Sequence, residues 1–401
     1  MQNLHQKDYQ YLVPPSWLIV LIAGFPQLSE TVYTPSLPDI ARALLVSESM
    51  VEYTLTIYLF SFALGILFWG KLSDSFGRKP CVLAGIGIYI LGCLGCYLSP
   101  TITMLMASRF LQAFGGSIGS VLGQSIVRDA FHGSALGRMY AMFGSSLAIF
   151  PAVGPVVGGW IAQNYGWSNI FIFLICFAIW LGTIIWWFLP ETHHPHMRQP
   201  NCMPKVALQM LFDKKVVGLA LLVGCSNGIQ FSFYSEGSFY LIEQLGLSPS
   251  SYGTCFIAIA SSTMLGGMLS KYLNQHHIPK IIMGYGIAIM CATSTLFSLL
   301  VLGGVGSFVA PSTMIAVTLL AQMCMAFGIV INNGTALAMA LVDYKWCTGT
   351  ASSLFGFSYY ILTSIITLGM GMLHNGTLYP MPLYFCSIAW TMFLIKKTMI
   401  R

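Results

Sequence analysis

Three ionisable residues, Glu30, Arg109 and Glu236, stand deep inside apolar runs of a chain in which only 7% of 401 residues are charged. The chemistry open to them is proton exchange. Burial opposes the charge on a carboxylate and a nearby guanidinium favours it, so an acid held between the two can load and release a proton. Glu30 lies about eight residues inward of Pro38 and Arg109 about eight inward of Thr101, so each sits roughly 12 Å below one surface of a helical layer at 1.5 Å per residue. Equal depth permits contact between them. Glu236, about seven residues from the outer end of its own run, reaches a similar depth and competes with Glu30 for the proton. The plainer alternative is a permanent ion pair that orients two helices, because a buried guanidinium is costly without an acid or a wet cavity beside it.

A second group is conformational. Residues 70–80, G-K-L-S-D-S-F-G-R-K-P, form a charged turn between runs 51–69 and 81–98, both of a length that crosses a bilayer. Gly77 can take φ > 0, Pro80 suits the first turn of the next helix, and Arg78 with Lys79 marks a cytoplasmic face. Asp74 can pair with Arg78 or sit at a helix N-terminus, and either would hold two segments together until something separates them. Further on, Pro155 lacks a backbone donor while Gly154, Gly158 and Gly159 admit a close neighbour. Such a helix can bend and seal against a partner, although a simple glycine packing face has the same composition.

The elements that must position these groups are membrane helices. With 56% hydrophobic residues and a mean hydropathy of +0.75, the chain is too apolar for a soluble domain. Spans are expected at 17–37, 51–69, 81–98, 103–127, 138–162, 168–189, 216–242, 252–270, 281–302, 312–340, 347–371 and 382–396. With the N-terminus in the cytoplasm, nearly all Lys and Arg fall inside, Arg42 falls outside, and an even number of spans returns the C-terminus to the cytoplasm. The net charge of +6 therefore reports topology, and no basic, aromatic-laced patch suggests nucleic acid. Most of the 11 cysteines lie in apolar runs and read as small packing residues. Residues 1–15 lack the apolar core and cleavage site of a secretory signal, so the N-terminus is expected to be retained.

Residues 190–215 carry Pro190, Pro195, Pro200 and Pro204 and read as a cytoplasmic linker between an N-terminal six-helix bundle, 1–189, and a C-terminal one, 216–401. His193, His194, His196 and Cys202 within it fit no standard zinc spacing, and a solvated linker is the usual home of such residues. No metal or other cofactor is expected. The halves echo each other in order: Gly70, Leu72 and Ser73 recur as Gly267, Leu269 and Ser270, and Ala113-Phe114-Gly115 recurs as Ala326-Phe327-Gly328. By the same alignment Arg109 corresponds to Gln322 and Asp74 to Lys271, so the intramembrane cation exists in the first half only.

These residues also carry a resemblance. The loop at 70–80 resembles the loop signature of the major facilitator superfamily, and Arg109-x-x-Gln112 with Gly115 and Gly116 resembles its fourth-span signature. Glu30, Tyr33, Pro35 and Pro38 are similar to the D-x-Y-x-P-x-x-P start of Bcr/CflA-type drug exporters, with Glu for Asp and a spacing of three in place of two between acid and tyrosine. Gly154-Pro155-x-x-Gly158-Gly159 resembles the antiporter signature of twelve-span drug:proton exporters. The resemblance implies an all-α fold of two pseudo-symmetric six-helix bundles around a central cavity. On it, Tyr33, Tyr58, Gln112, Gln124, Asn227, Gln230, Tyr234, Asn332 and Asn333 are candidate substrate-lining residues. Aromatic rings with few charges suit an amphipathic or cationic ligand, although each residue alone also fits helix packing. The expectation is a monomeric, multi-pass protein of the bacterial inner membrane, not an enzyme, that exports a small amphipathic compound against protons. Proton-coupled uptake, for example of a siderophore or osmolyte, would use the same residues with opposite flux.

Overall fold

A computed structural model describes residues 13–131, 133–193, 203–304 and 309–400, and every regular element among them is helical. In chain order these are α1 (Ser16–Thr31), α2 (Leu37–Leu44), α3 (Glu48–Phe76), α4 (Arg78–Tyr97), α5 (Ile102–Ala130), α6 (Gly133–Tyr165) and α7 (Asn169–Phe188). There follow α8 (Met203–Phe212), α9 (Lys214–Ser238), α10 (Pro249–His276), α11 (Pro279–Leu302), α12 (Pro311–Ala340), α13 (Thr348–Leu373) and α14 (Pro380–Met399). A helix occupies each expected span: α1, α3 to α7, and α9 to α14. By length and composition, 8 of them, namely α3, α4, α7 and α9 to α13, are apolar enough to cross a membrane.

Local sequence explains the ends. Pro249, Pro279, Pro311 and Pro380 open their helices at positions whose N–H would be unpaired anyway, while Thr101 and Asp213 accept backbone N–H bonds as caps of α5 and α9. Two departures from expectation have clear causes. The first span, expected to run unbroken over 17–37, stops as an α-helix at Thr31 and continues as a tight 3₁₀ turn, Thr34–Ser36, before α2. Pro35 and Pro38 supply no N–H to the ladder there, so Glu30 falls in the last turn of α1 and Tyr33 in the break. The linker is not wholly irregular either, since α8 fills 203–212; His194, His196 and Cys202 lie outside the described residues.

The buried core falls into two clusters that do not coincide with the sequence halves. One holds α1, α4, α5 and α7 side chains; the other belongs to the second half but also takes in Leu55, Tyr58, Leu59, Phe62, Ala63 and Ile66 of α3. Helix α3 therefore packs as a seam against α13. A Cβ on Gly70 would overlap Ser353 at one end, Tyr360 lies 4.6 Å from Phe62 between ring centroids in the middle, and Ser364 Oγ donates to the Thr56 carbonyl at 3.0 Å beyond it. At the far end Gly371 faces Glu52 and Tyr53. A second seam joins α6 to α10, where glycines on each side leave room for the other's backbone. Trp186 and Trp187 at the end of α7 are exposed, as suits lipid-facing aromatic side chains near an interface.

Candidate functional site

Arg109 is fully buried on α5, where its guanidinium lies between two tyrosine rings, 4.2 Å from the Tyr33 centroid and 4.1 Å from that of Tyr58. Stacking of this kind lets a desolvated cation rest on aromatic faces in place of water. Arg109 Nη1 donates to Gln112 Oε1 at 2.7 Å, one turn along the helix. Gln112 in turn donates to Cys93 Sγ at 3.1 Å and to Tyr89 OH at 3.4 Å. Tyr89 and Tyr58 both donate to Ser29 Oγ, at 2.8 and 3.1 Å, and Tyr33 OH meets Thr54 Oγ1 at 3.0 Å. The rings are thus pinned at their hydroxyls and the guanidinium is held by their faces. Cys93 and Cys96 stand at C-x-x-C spacing on α4, and both are buried free thiols beside Gln112.

Glu30 is also fully buried; neither of its oxygens is in full hydrogen-bond geometry with a neighbour among the described residues, and the donor that bears on them is the Tyr360 hydroxyl of α13. Arg109 Nε and Nη2 are unpartnered. The expected contact between acid and guanidinium is therefore not a bonded ion pair: two ring faces and Gln112 hold the cation, and its charge reaches Glu30 only through space. Tyr359 and Tyr360 of α13, from the second half, lie in the electrostatic neighbourhood of Glu30, so the acid sits where the halves meet.

The second half holds amide pairs. Gln322 donates to Gln230 at 3.3 Å, Asn333 to Asn227 at 2.9 Å, and Asn332 to Ser226 Oγ at 2.9 Å. Gln322, aligned with Arg109, thus replaces a charge by a neutral bond between α12 and α9. Tyr234 is buried against Phe231 and Phe256. Gln124 does not join these groups. It is exposed on α5 one turn before Arg128, whose guanidinium reaches Ser352, and the 15 residues from Arg109 put it roughly 22 Å away along the helix.

A polar cluster that sequence reading missed closes the end of the seam opposite Gly70. Glu52 of α3 is fully buried and accepts from Ser235 Oγ of α9 at 2.6 Å. Glu236 lies 2.8 Å from His374 Nδ1, and the other ring nitrogen lies 2.7 Å from Glu48. Burial works against a charge on His374, which follows the last residue of α13; the bond to Glu236 and the fields of Glu236, Glu52 and Glu48 outweigh it and push the imidazole up to about 9. Just past Glu236 the α9 backbone loosens into a π-helical turn, Phe239–Gln244. Glu243 in that turn faces Arg42 at 3.8 Å, a second contact between the halves at this end.

At the loop of residues 70–80 Arg78 gathers the charges. Its Nη1 bonds Asp74 at 2.6 Å and Ser73 at 2.7 Å, and its Nε bonds Asp129 of α5 at 2.9 Å. Glu191, past α7, accepts from the backbone N–H groups of Arg78 at 2.8 Å and Lys79 at 3.1 Å, a charged cap on α4. Gly77 has φ 102°, and a Cβ there would press on the same carboxylate at 2.6 Å. Burial and then the charge of Arg78 hold His193 below its ordinary range. On α6, Gly154 and Gly158 leave no room for a Cβ against Thr31 and Val32 of the first span, while Gly159 and the Pro155 carbonyl meet Pro249 and Gly253 of α10. One glycine-rich segment therefore packs against the helix carrying Glu30 on one side and against the second half on the other.

A family model described as Major Facilitator Superfamily matches residues 19–384. An uncharacterized transporter of Rickettsia bellii (strain RML369-C) is 33% identical over 371 residues, covering 91% of each chain. A bicyclomycin resistance protein homolog of Haemophilus influenzae is 27% identical, covering 90% of this chain and 89% of its own. Among solved structures, the D-xylose-proton symporter superposes with a TM-score of 0.76 at 13% identity, over 94% of this chain and 96% of that one.

Proposed function

The chain belongs to the major facilitator superfamily, and from that premise we propose that it exports a small amphipathic compound in exchange for protons, with Glu30 as the proton carrier. The observation that carries this reading is the Glu30 carboxyl, fully buried and not ion-paired with the Arg109 guanidinium, which rests between Tyr33 and Tyr58, so that only the Tyr360 hydroxyl bears on the acid as a donor. A pair that only orients helices would be bonded. An acid without a bonded cation is instead free to take a proton or a ligand cation, and Arg109 holds a fixed positive charge nearby in either case. A cationic or hydrogen-bonding substrate that favours ionised Glu30 expels the proton; protonation from the outer side then expels the substrate.

Two findings support export. The Gly154-Pro155-Gly158-Gly159 segment packs directly on the Glu30 helix, so movement of the second half against α6 bears on the acid. A relative across most of the chain is named for drug resistance. The reading places the protein in the bacterial inner membrane with both termini cytoplasmic, the loop at 70–80 inside and the Glu52 cluster outside.

The test is proton release on adding candidate substrates to purified protein. Glu30→Gln should bind substrate and release no proton, while Glu236→Gln still releases it. Release that persists in Glu30→Gln and vanishes in Glu236→Gln would move the carrier to Glu236.

A further inference from the structure

At the outer end of the α3–α13 seam, one carboxylate oxygen each from Glu52 and Glu236 and a ring nitrogen of His374 lie within 4.8 Å of one another. Glu52 and Glu236 are 0% and 1% exposed, and no Lys or Arg pairs with them among the described residues. Glu52 Oε1 is bonded by Ser235, but Oε2 has no partner; it faces Gly371, at the turn that leads to His374. On the far side of the imidazole, Glu48 lies 2.7 Å from Nε2. A carboxylate there keeps the ring proton on Nε2 and turns the Nδ1 lone pair the other way, which is how metal-binding imidazoles are oriented. Nδ1 faces Glu236 at 2.8 Å, so once an ion displaces the proton held between them, a nitrogen lone pair and carboxylate oxygens from two helices converge on one buried spot.

We propose that Glu52, Glu236 and His374 form a binding site for a divalent transition-metal ion of the zinc type, with Glu48 orienting His374. One imidazole and two carboxylates suit such an ion at bond lengths near 2.0–2.2 Å. A calcium or magnesium ion wants an all-oxygen shell of six or more ligands, which one histidine and two buried acids do not provide. The ligands come from both halves. Glu236 and His374 belong to the second and stay together if the halves part, whereas Glu52 joins only on closure. Whatever affinity Glu52 adds is the amount by which the ion favours the closed outer end.

Binding itself does not depend on the transport reading; the locking effect does. Zinc titration by calorimetry on the full-length, tag-free chain carrying His193→Ala, His194→Ala and His196→Ala excludes the linker imidazoles. One saturable site per chain is expected, weakened by about 10- to 100-fold in Glu52→Gln, Glu236→Gln and His374→Gln, and about tenfold in Glu48→Gln. No saturable binding in the parent, or equal affinity in all the variants, overturns the site. X-ray absorption at the zinc edge on the parent needs no variant: a shell of one imidazole with oxygens supports it, and sulfur or several imidazoles overturn it. In vesicles, external zinc should slow substrate exchange by the parent and not by Glu52→Gln. Undiminished exchange with zinc bound overturns the locking, and an absence of any exchange without zinc counts against the transport reading instead.

Discussion

The buried cation is the residue most exposed to a wrong guess, because sequence identifies a charge and not what satisfies it. Arg109 stood out as a charge in an apolar run and Gln112 through the resemblance to the fourth-span signature, and the intrahelical bond between them follows from one helical turn. The aromatic sandwich was not, since Tyr33 and Tyr58 reach Arg109 from two other elements. The Glu52, Glu236 and His374 cluster was invisible for the same reason: its members are scattered over more than 300 residues with no local motif. Substitution separates charge from shape here. Arg109→Lys keeps the charge but loses the flat face between the rings, and cation–π contacts of about 2 kcal/mol when desolvated predict at least a tenfold drop in vesicle transport with membrane insertion intact. Tyr33→Phe keeps the ring and gives up one hydroxyl bond worth about 1 kcal/mol, so transport should stay within a few-fold of the parent. Equal damage from both would mean that the hydroxyl network, not the stack, holds the guanidinium.

At the scale of elements, apolar run length located every long helix, because a bilayer admits only helices in a chain of this composition. The break at 32–36 was present in Pro35 and Pro38, yet hydropathy alone reads across it. Helix α8 could not be placed, since ten residues between prolines and charges carry no span signal. The glycines of α6 offer the sharpest test of an element. A Cβ on Gly158 would run into the Val32 carbonyl, whereas one on Gly267, at an ordinary φ, would meet nothing within 4 Å. Gly158→Ala should therefore lower coupled transport by about tenfold or more, and Gly158→Leu should make the protein leaky or inactive, although both changes are apolar and acceptable to lipid. Gly267→Ala is the matched control and should behave as the parent in the same proton-flux assay. Tight coupling in Gly158→Leu would reduce the segment to ordinary packing.

For the whole molecule, the two bundles meet along α3 and α13 from the loop at 70–80 to the Glu52 cluster, with α6 and α10 meeting alongside. Both ends of that interface carry charge networks, Asp74–Arg78–Asp129 at one and Glu52–Glu236–His374 at the other. Asp74→Asn removes one of two acids on Arg78 and leaves Asp129 in place, so the loop should persist while the balance between conformations shifts. Turnover should fall while substrate affinity, measured by binding to purified protein, stays within a few-fold; lost binding at an unchanged transport rate would contradict this.

The Phe62–Tyr360 contact divides the seam almost evenly. From Phe62 it is 10 residues to Glu52 and 8 to Gly70, or arms of roughly 15 Å and 12 Å at helical rise. Two stiff rods rocking on that contact form a lever with nearly equal arms: one tip parts only while the other, already in contact, stays pressed together. For the transport proposed above, exclusive access then needs no message carried through the protein, because such a fulcrum keeps both ends of the seam from parting together.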